Sequence, residues 1–242
     1  MREFFSYRGG MGFSLGNTTH IITLVLFIVS IITLYVNKKR LKKWKHKEKM
    51  RYIMAGILFT NMAVYYISLV LNGIYNWKTD LPFHLCFITG YAIMYALVTG
   101  SEKVFKIAYF FTFVGPLPAI LIPDTTQNLG FELGPDRYIY YQYVISHHFL
   151  ILCSLYTLWV LDYKITVKDI SPAFIYGNLL VGIMTIFNYY MGTNYIMVFN
   201  LPSHVLEYLP FLKGGTPILW LEFAAICALI VSYLPVYIEK KN

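Results

Sequence analysis

Cys86, His147, His148, Asn188 and Glu222 are polar side chains set in otherwise apolar stretches of the sequence. Ionisable groups in such stretches are costly to bury and mark a functional site by default. Their types fit three chemistries. In nucleophilic catalysis, Cys86 would attack an ester and His147 or His148 would take the thiol proton. Glu222 or Asn188 would orient the imidazole, with Asn188 alternatively an oxyanion donor. The thiolate is the reactive form, and a nearby base makes it available. The second chemistry is that of a zinc-dependent hydrolase. His147, His148, Cys86 and Glu222 are acceptable ligands, and three of them with a water make an open site. Against it, adjacent histidines diverge on a helix, and no i, i+3 or i, i+4 ligand pair is present. The third is a non-enzymatic seven-helix protein that binds or transports a small molecule or lipid.

The elements that must position these residues are membrane helices. Hydrophobic residues make up 57% of the 242, and charged ones only 13%. A span needs about 20 apolar residues, and seven runs qualify: 20–37, 52–73, 82–99, 105–122, 139–161, 171–190 and 217–237. Short connections leave a single all-α polytopic domain over 1–242. Of the 20 Lys and Arg, nine fall between Lys38 and Arg51, and Lys103, Lys106, Lys164, Lys168, Lys240 and Lys241 share their side. Arg2, Arg8, Lys78, Arg137 and Lys213 are on the other. The excess of positive charge belongs inside, so the N-terminus is expected outside and the C-terminus in the cytoplasm. The net charge of +8 is then mostly topology. A basic juxtamembrane loop attracts anionic lipid without specificity, and no nucleic-acid partner is expected. The first apolar run lacks a small-residue cleavage pattern and precedes the basic loop, so it reads as a retained helix. The three cysteines lie at different depths and are expected to be free thiols.

Threaded this way, the five polar residues approach one outer surface from four helices. Cys86 lies ~6 Å, the histidine pair ~12 Å and Glu222 ~8 Å into their spans. The glycerol esters of phospholipids lie at such depths, so a lipid acyl group is the natural substrate, with a lysolipid as acceptor. The third helix is expected to begin at Leu81-Pro82. Gly90, one turn below Cys86, leaves room for a partner helix or a lipid chain. Gly115, Pro116, Pro118 and Pro123 predict a broken fourth helix. Ser171 and Pro172 predict the cap and first position of the sixth, and Gly192 its terminator. The long outer connection that follows is expected to serve as a lid or binding element. His84, Gln142, Ser146, Asn194, Tyr195 and His204 are the candidate substrate contacts. No cofactor is expected, since nothing resembles a phosphate-cradling glycine loop.

The segments LPFHLCFI, YYQYVISHHFLIL and NYYMGTNYIMVFNLP resemble the corresponding segments of the YwaF-type bacterial integral membrane proteins, in order and over nearly the whole chain. That family is similar in turn to a eukaryotic multispanning family with a member that is a cysteine acyltransferase making polyunsaturated ether phospholipids. The resemblance implies an acyltransferase in a bacterial plasma membrane. It puts Cys86 at the family cysteine and His147 or His148 at a histidine about sixty residues later. A more distant similarity reaches membrane hydrolases of fatty-acid esters that use a threonine nucleophile with histidine.

Overall fold

A computed structural model describes residues 3–7, 13–123 and 134–241, with the side chain of Lys241 excepted. Arg2 and Arg8, counted above for topology, lie outside those residues. Among the described residues every regular element is helical. Among the described residues Leu85–Thr99 is a shorter apolar helix, and five helices, where seven runs were expected, are long and apolar enough to cross a membrane. The first is α1 (Thr18–Lys42), capped by the Asn17 side chain, which accepts the His20 N–H at 2.8 Å. Its last turn carries Lys39, Arg40 and Lys42, the sign that suits a helix C-terminus. Ile22, Val25, Leu26, Ile28, Val29 and Ile32 are each more than half exposed. So continuous an aliphatic surface suits hydrocarbon rather than water.

α2 (Lys49–Leu71) returns across the bundle, and a short turn of helix, α3 (Trp77–Asp80), leads to α4 (Leu85–Thr99). The helix does not begin at Leu81-Pro82 as expected. Leu81 is extended and His84 is the N-cap, so Pro82 sits in the preceding turn. α4 stops at Gly100, which takes a left-handed φ of 77°. Arg51 caps its end, donating from Nε to the Leu97 carbonyl at 2.8 Å.

The predicted break in the next helix is present. α5 (Glu102–Val114) and α6 (Pro116–Leu121) meet at Gly115, where a Cβ would crowd the Leu85 side chain. α5 is the central post, with Phe105, Tyr109, Phe110 and Phe113 buried and α4 and the helical segments Leu150–Trp159, Ile170–Met191 and Pro217–Ser232 packed around it. The run from Tyr138 to Trp159 is α7 (Tyr138–Val144), a π-helical turn (Ile145–Phe149) and α8 (Leu150–Trp159). α9 (Ile170–Met191) ends at Gly192 with φ 63°, the terminator expected. Its start differs from expectation, because Ser171 already lies inside the helix. Thr166 and Asp169 form a capping box one turn earlier, and Lys106 pairs with Asp169 at 3.2 Å. α10 (Ser203–Tyr208), α11 (Pro217–Ser232) and α12 (Leu234–Lys241) complete the chain.

One end of the bundle is held by charge. Lys38, itself buried, pairs with Glu239, and Lys42 reaches Glu239 at 3.1 Å and Asp162 at 2.7 Å. The basic end of α1, the turn after α8 and the C-terminal helix are thereby tied together. Cys86, Cys153 and Cys227 are free thiols.

Candidate functional site

Cys86 is the second residue of α4, on a helix start whose N-cap, His84, gives no side-chain cap. The amide N–H groups of Cys86 and Phe87 belong to the first turn of this helix. The Phe87 N–H is taken by the His84 carbonyl at 3.0 Å, which leaves the Cys86 amide as the first-turn donor beside the thiol. The turn before this helix is held from a distance. Tyr195, buried to 1% exposure, donates its hydroxyl to the Trp77 carbonyl at 2.6 Å and accepts the Leu81 N–H at 3.0 Å. Its ring meets that of His84 at 5.0 Å, edge to face, and His84 Nε2 donates to the Thr79 carbonyl at 3.2 Å.

Asn188, in the last turn of α9, is what holds Tyr195. Its Nδ2 donates to the Tyr195 carbonyl at 2.9 Å, and its Oδ1 accepts the Tyr195 N–H at 2.9 Å and the Thr193 hydroxyl at 2.7 Å. The Asn194 side chain ties the same loop to Phe199 and Asn200. The Gly192–Tyr195 run is therefore a buttress for the Cys86 turn. Asn188 has its polar atoms engaged there and makes no hydrogen bond to a histidine. Glu222 accepts from Asn178 Nδ2 at 3.4 Å and likewise meets neither imidazole among the described residues. His204 is buried in α10.

The histidines occupy the π-helical turn. π-turns occur frequently at functional sites, and this one buries both rings, leaving His147 8% and His148 5% exposed. Their hydrogen bonding separates them. His147 Nδ1 donates to the Tyr143 carbonyl at 2.7 Å, and the Tyr143 ring lies 4.3 Å from its own. That bond puts the proton on Nδ1 and leaves Nε2 with its lone pair. Among the described residues His148 has no hydrogen-bond partner on either nitrogen, and it packs edge-on against Phe27 at 4.8 Å. In the same π-turn, Ser146 Oγ accepts from Gln142 Nε2 at 2.8 Å and from Asn61 Nδ2 at 2.9 Å. Gln142 and Ser146 are thus joined to Asn61 of α2. α4 and the π-turn are in contact, although Cys86 makes no hydrogen bond to either histidine.

Asn61, Tyr66 and His20 were not anticipated from the sequence. Asn61 interrupts the apolar run LFTNMAV, the same kind of signal that drew attention to Asn188. His20 is hidden in the first turn of α1. It accepts the Gly16 N–H at Nδ1 (3.1 Å) and donates from Nε2 to the Ile120 carbonyl (3.0 Å), so it is a satisfied packing residue. Two apolar grooves flank α2. One, about 440 Å³, runs between α2 and the α7–π segment past Ile53, Asn61, Tyr138 and Ile145. The other, about 530 Å³, runs between α2 and α4 past Phe59, Tyr91 and Tyr95. Gly56 borders both, and no heavy atom lies within 4 Å of where its Cβ would stand. Among the described residues no group of three or more His, Cys, Asp or Glu stands together as a metal site, so the zinc alternative has no ligand set there.

Apolar helices with aliphatic outer faces around a buried polar layer define a helical integral membrane protein. The chain belongs to the TMEM164 family, whose model matches residues 13–234. This is the family shown; the YwaF-type grouping expected from the three quoted segments is not what the match names. A protein of Treponema pallidum (strain Nichols) described as an uncharacterized protein is 28% identical over 193 residues, 78% of this chain and 75% of that one. No solved structure matches the chain.

Proposed function

We propose that the protein is a membrane-embedded lipid acyltransferase with seven spans, an outer N-terminus and a cytoplasmic C-terminus, acting in a bacterial plasma membrane. Cys86 is the nucleophile and His147 the base. The observation that carries this reading is the Nδ1–H bond of His147 to the Tyr143 carbonyl. It supports a neutral imidazole with its basic nitrogen free, on an element packed against the helix that carries Cys86. The Tyr143 carbonyl takes the orienting role expected of Glu222 or Asn188.

The Cys86 thiol gives its proton to His147 Nε2, and the sulfur attacks the ester carbonyl of a phospholipid. The tetrahedral intermediate collapses to a thioester as the glycerol oxygen leaves with the proton held by His147. A lysolipid hydroxyl then loses its proton to His147 and attacks the thioester, and Cys86 leaves and is reprotonated. Water as acceptor would make the same chemistry hydrolysis, so the apolar walls around α2 favour transfer. Intact-mass spectrometry after incubation with labelled phospholipid tests the reading. The expected result is a hydroxylamine-sensitive acyl adduct on the wild type that is absent from Cys86→Ala. Unmodified wild-type protein and unaltered lipid would overturn it.

A further inference from the structure

The geometry points to the Tyr66 hydroxyl as the side-chain donor that receives the oxyanion formed when Cys86 attacks an acyl ester, an inference that rests on the acyl-transfer reading. The register of two helices places it. Gly90 of α4 leaves no room for a Cβ beside the Met62 methyl of α2, so these two residues mark the α2–α4 contact. The two helices are consecutive long elements running in opposite directions. Tyr66 is four residues from Met62 and Cys86 four from Gly90, and each step leads toward the same end of the bundle. Residues four apart share a helix face, so Tyr66 and Cys86 face each other one turn from the contact. The aromatic packing agrees, since the Tyr66 ring lies 5.8 Å from that of Phe87, next to Cys86.

The hydroxyl is also unoccupied. Its oxygen is buried and has no hydrogen-bond partner among the described residues. A buried donor without an acceptor costs stability and calls for a reason, of which a catalytic role is one. Attack by sulfur forms the S–C bond and moves the carbonyl π pair onto oxygen. A fixed O–H aimed there stabilises the charge without being rearranged during reaction. The phenol keeps its proton throughout, and the proton taken from Cys86 stays on His147 until the glycerol oxygen leaves.

The test compares two reactions of Cys86 in wild type and Tyr66→Phe, both in palmitoyl-oleoyl-phosphatidylcholine nanodiscs. Thioester formation passes through an oxyanion, whereas alkylation by iodoacetamide needs only the thiolate. Tyr66→Phe is expected to slow thioester formation about 100-fold, with Cys86 alkylation unchanged and the thermal unfolding midpoint no lower. Equal thioester rates overturn the role, and so does a parallel loss of alkylation, which would put the hydroxyl on the thiol or in the packing. Wild type that alkylates but never acylates refutes the acyl-transfer reading and this role with it. Wild type that acylates beside an unimpaired Tyr66→Phe refutes the role alone.

Discussion

The hydroxyl of Tyr195 bonds both the Trp77 carbonyl and the Leu81 N–H, so a residue beyond the end of α9 sets the turn from which the Cys86 helix starts. Tyr195→Phe keeps the ring but leaves two backbone groups without their partner. A cost of about 1–3 kcal/mol is expected, read as an earlier midpoint in thermal unfolding of the purified protein. Because the loosened turn precedes Cys86, its alkylation should become faster as well. An unchanged midpoint and alkylation rate would show that the turn stands without this tie.

Asn188 should matter more than its neighbour in the same loop. Asn188→Ala removes three buried hydrogen bonds and is expected to cost about 3 kcal/mol. Asn194 makes its bonds at an exposed position, where water can replace them, so Asn194→Ala should cost less than half as much. Denaturant titration of both variants ranks them, and the reverse order would contradict the buttress described above.

The two histidines should separate in opposite directions. His147→Gln removes the poised nitrogen and is expected to abolish the thioester while leaving a folded protein. His148→Leu deletes two buried, unpartnered nitrogens and should raise stability by about 1 kcal/mol, with the thioester retained. Loss of the adduct in His148→Leu, with normal unfolding, would move the base to the other ring.

The ionic clasp offers a check on the packing of α1 against the C-terminal helix. Lys38 is 6% exposed, and Glu239→Gln strands its charge. Removing one partner of a buried pair typically costs about 3 kcal/mol. The double variant Lys38→Met, Glu239→Leu, which removes both charges, should recover most of that loss. Unfolding midpoints of the single and double variants decide it, and an unaffected Glu239→Gln would mean that Lys38 reaches water.

Much of this protein is local information. Runs of apolar residues determined where helices form, Gly115-Pro116 where one must break, and Gly192 where α9 must stop, because backbone sterics and the missing proline N–H act within a few residues. The polar exceptions were visible for the same reason, since Cys86, His147 and Asn188 stand out against their neighbours. Their partners did not follow. That Glu222 meets Asn178 and that Met62 meets Gly90, from which the placement of Tyr66 opposite Cys86 is inferred, depend on the register between helices. That Asn188 holds Tyr195 depends on the loop turning back after Gly192. The difference between His147 and His148 depends on a π-turn, which displaces every side chain after it from the regular helical azimuth. Periodicity along one helix carries no record of either, because both arise from how separate helices settle against each other.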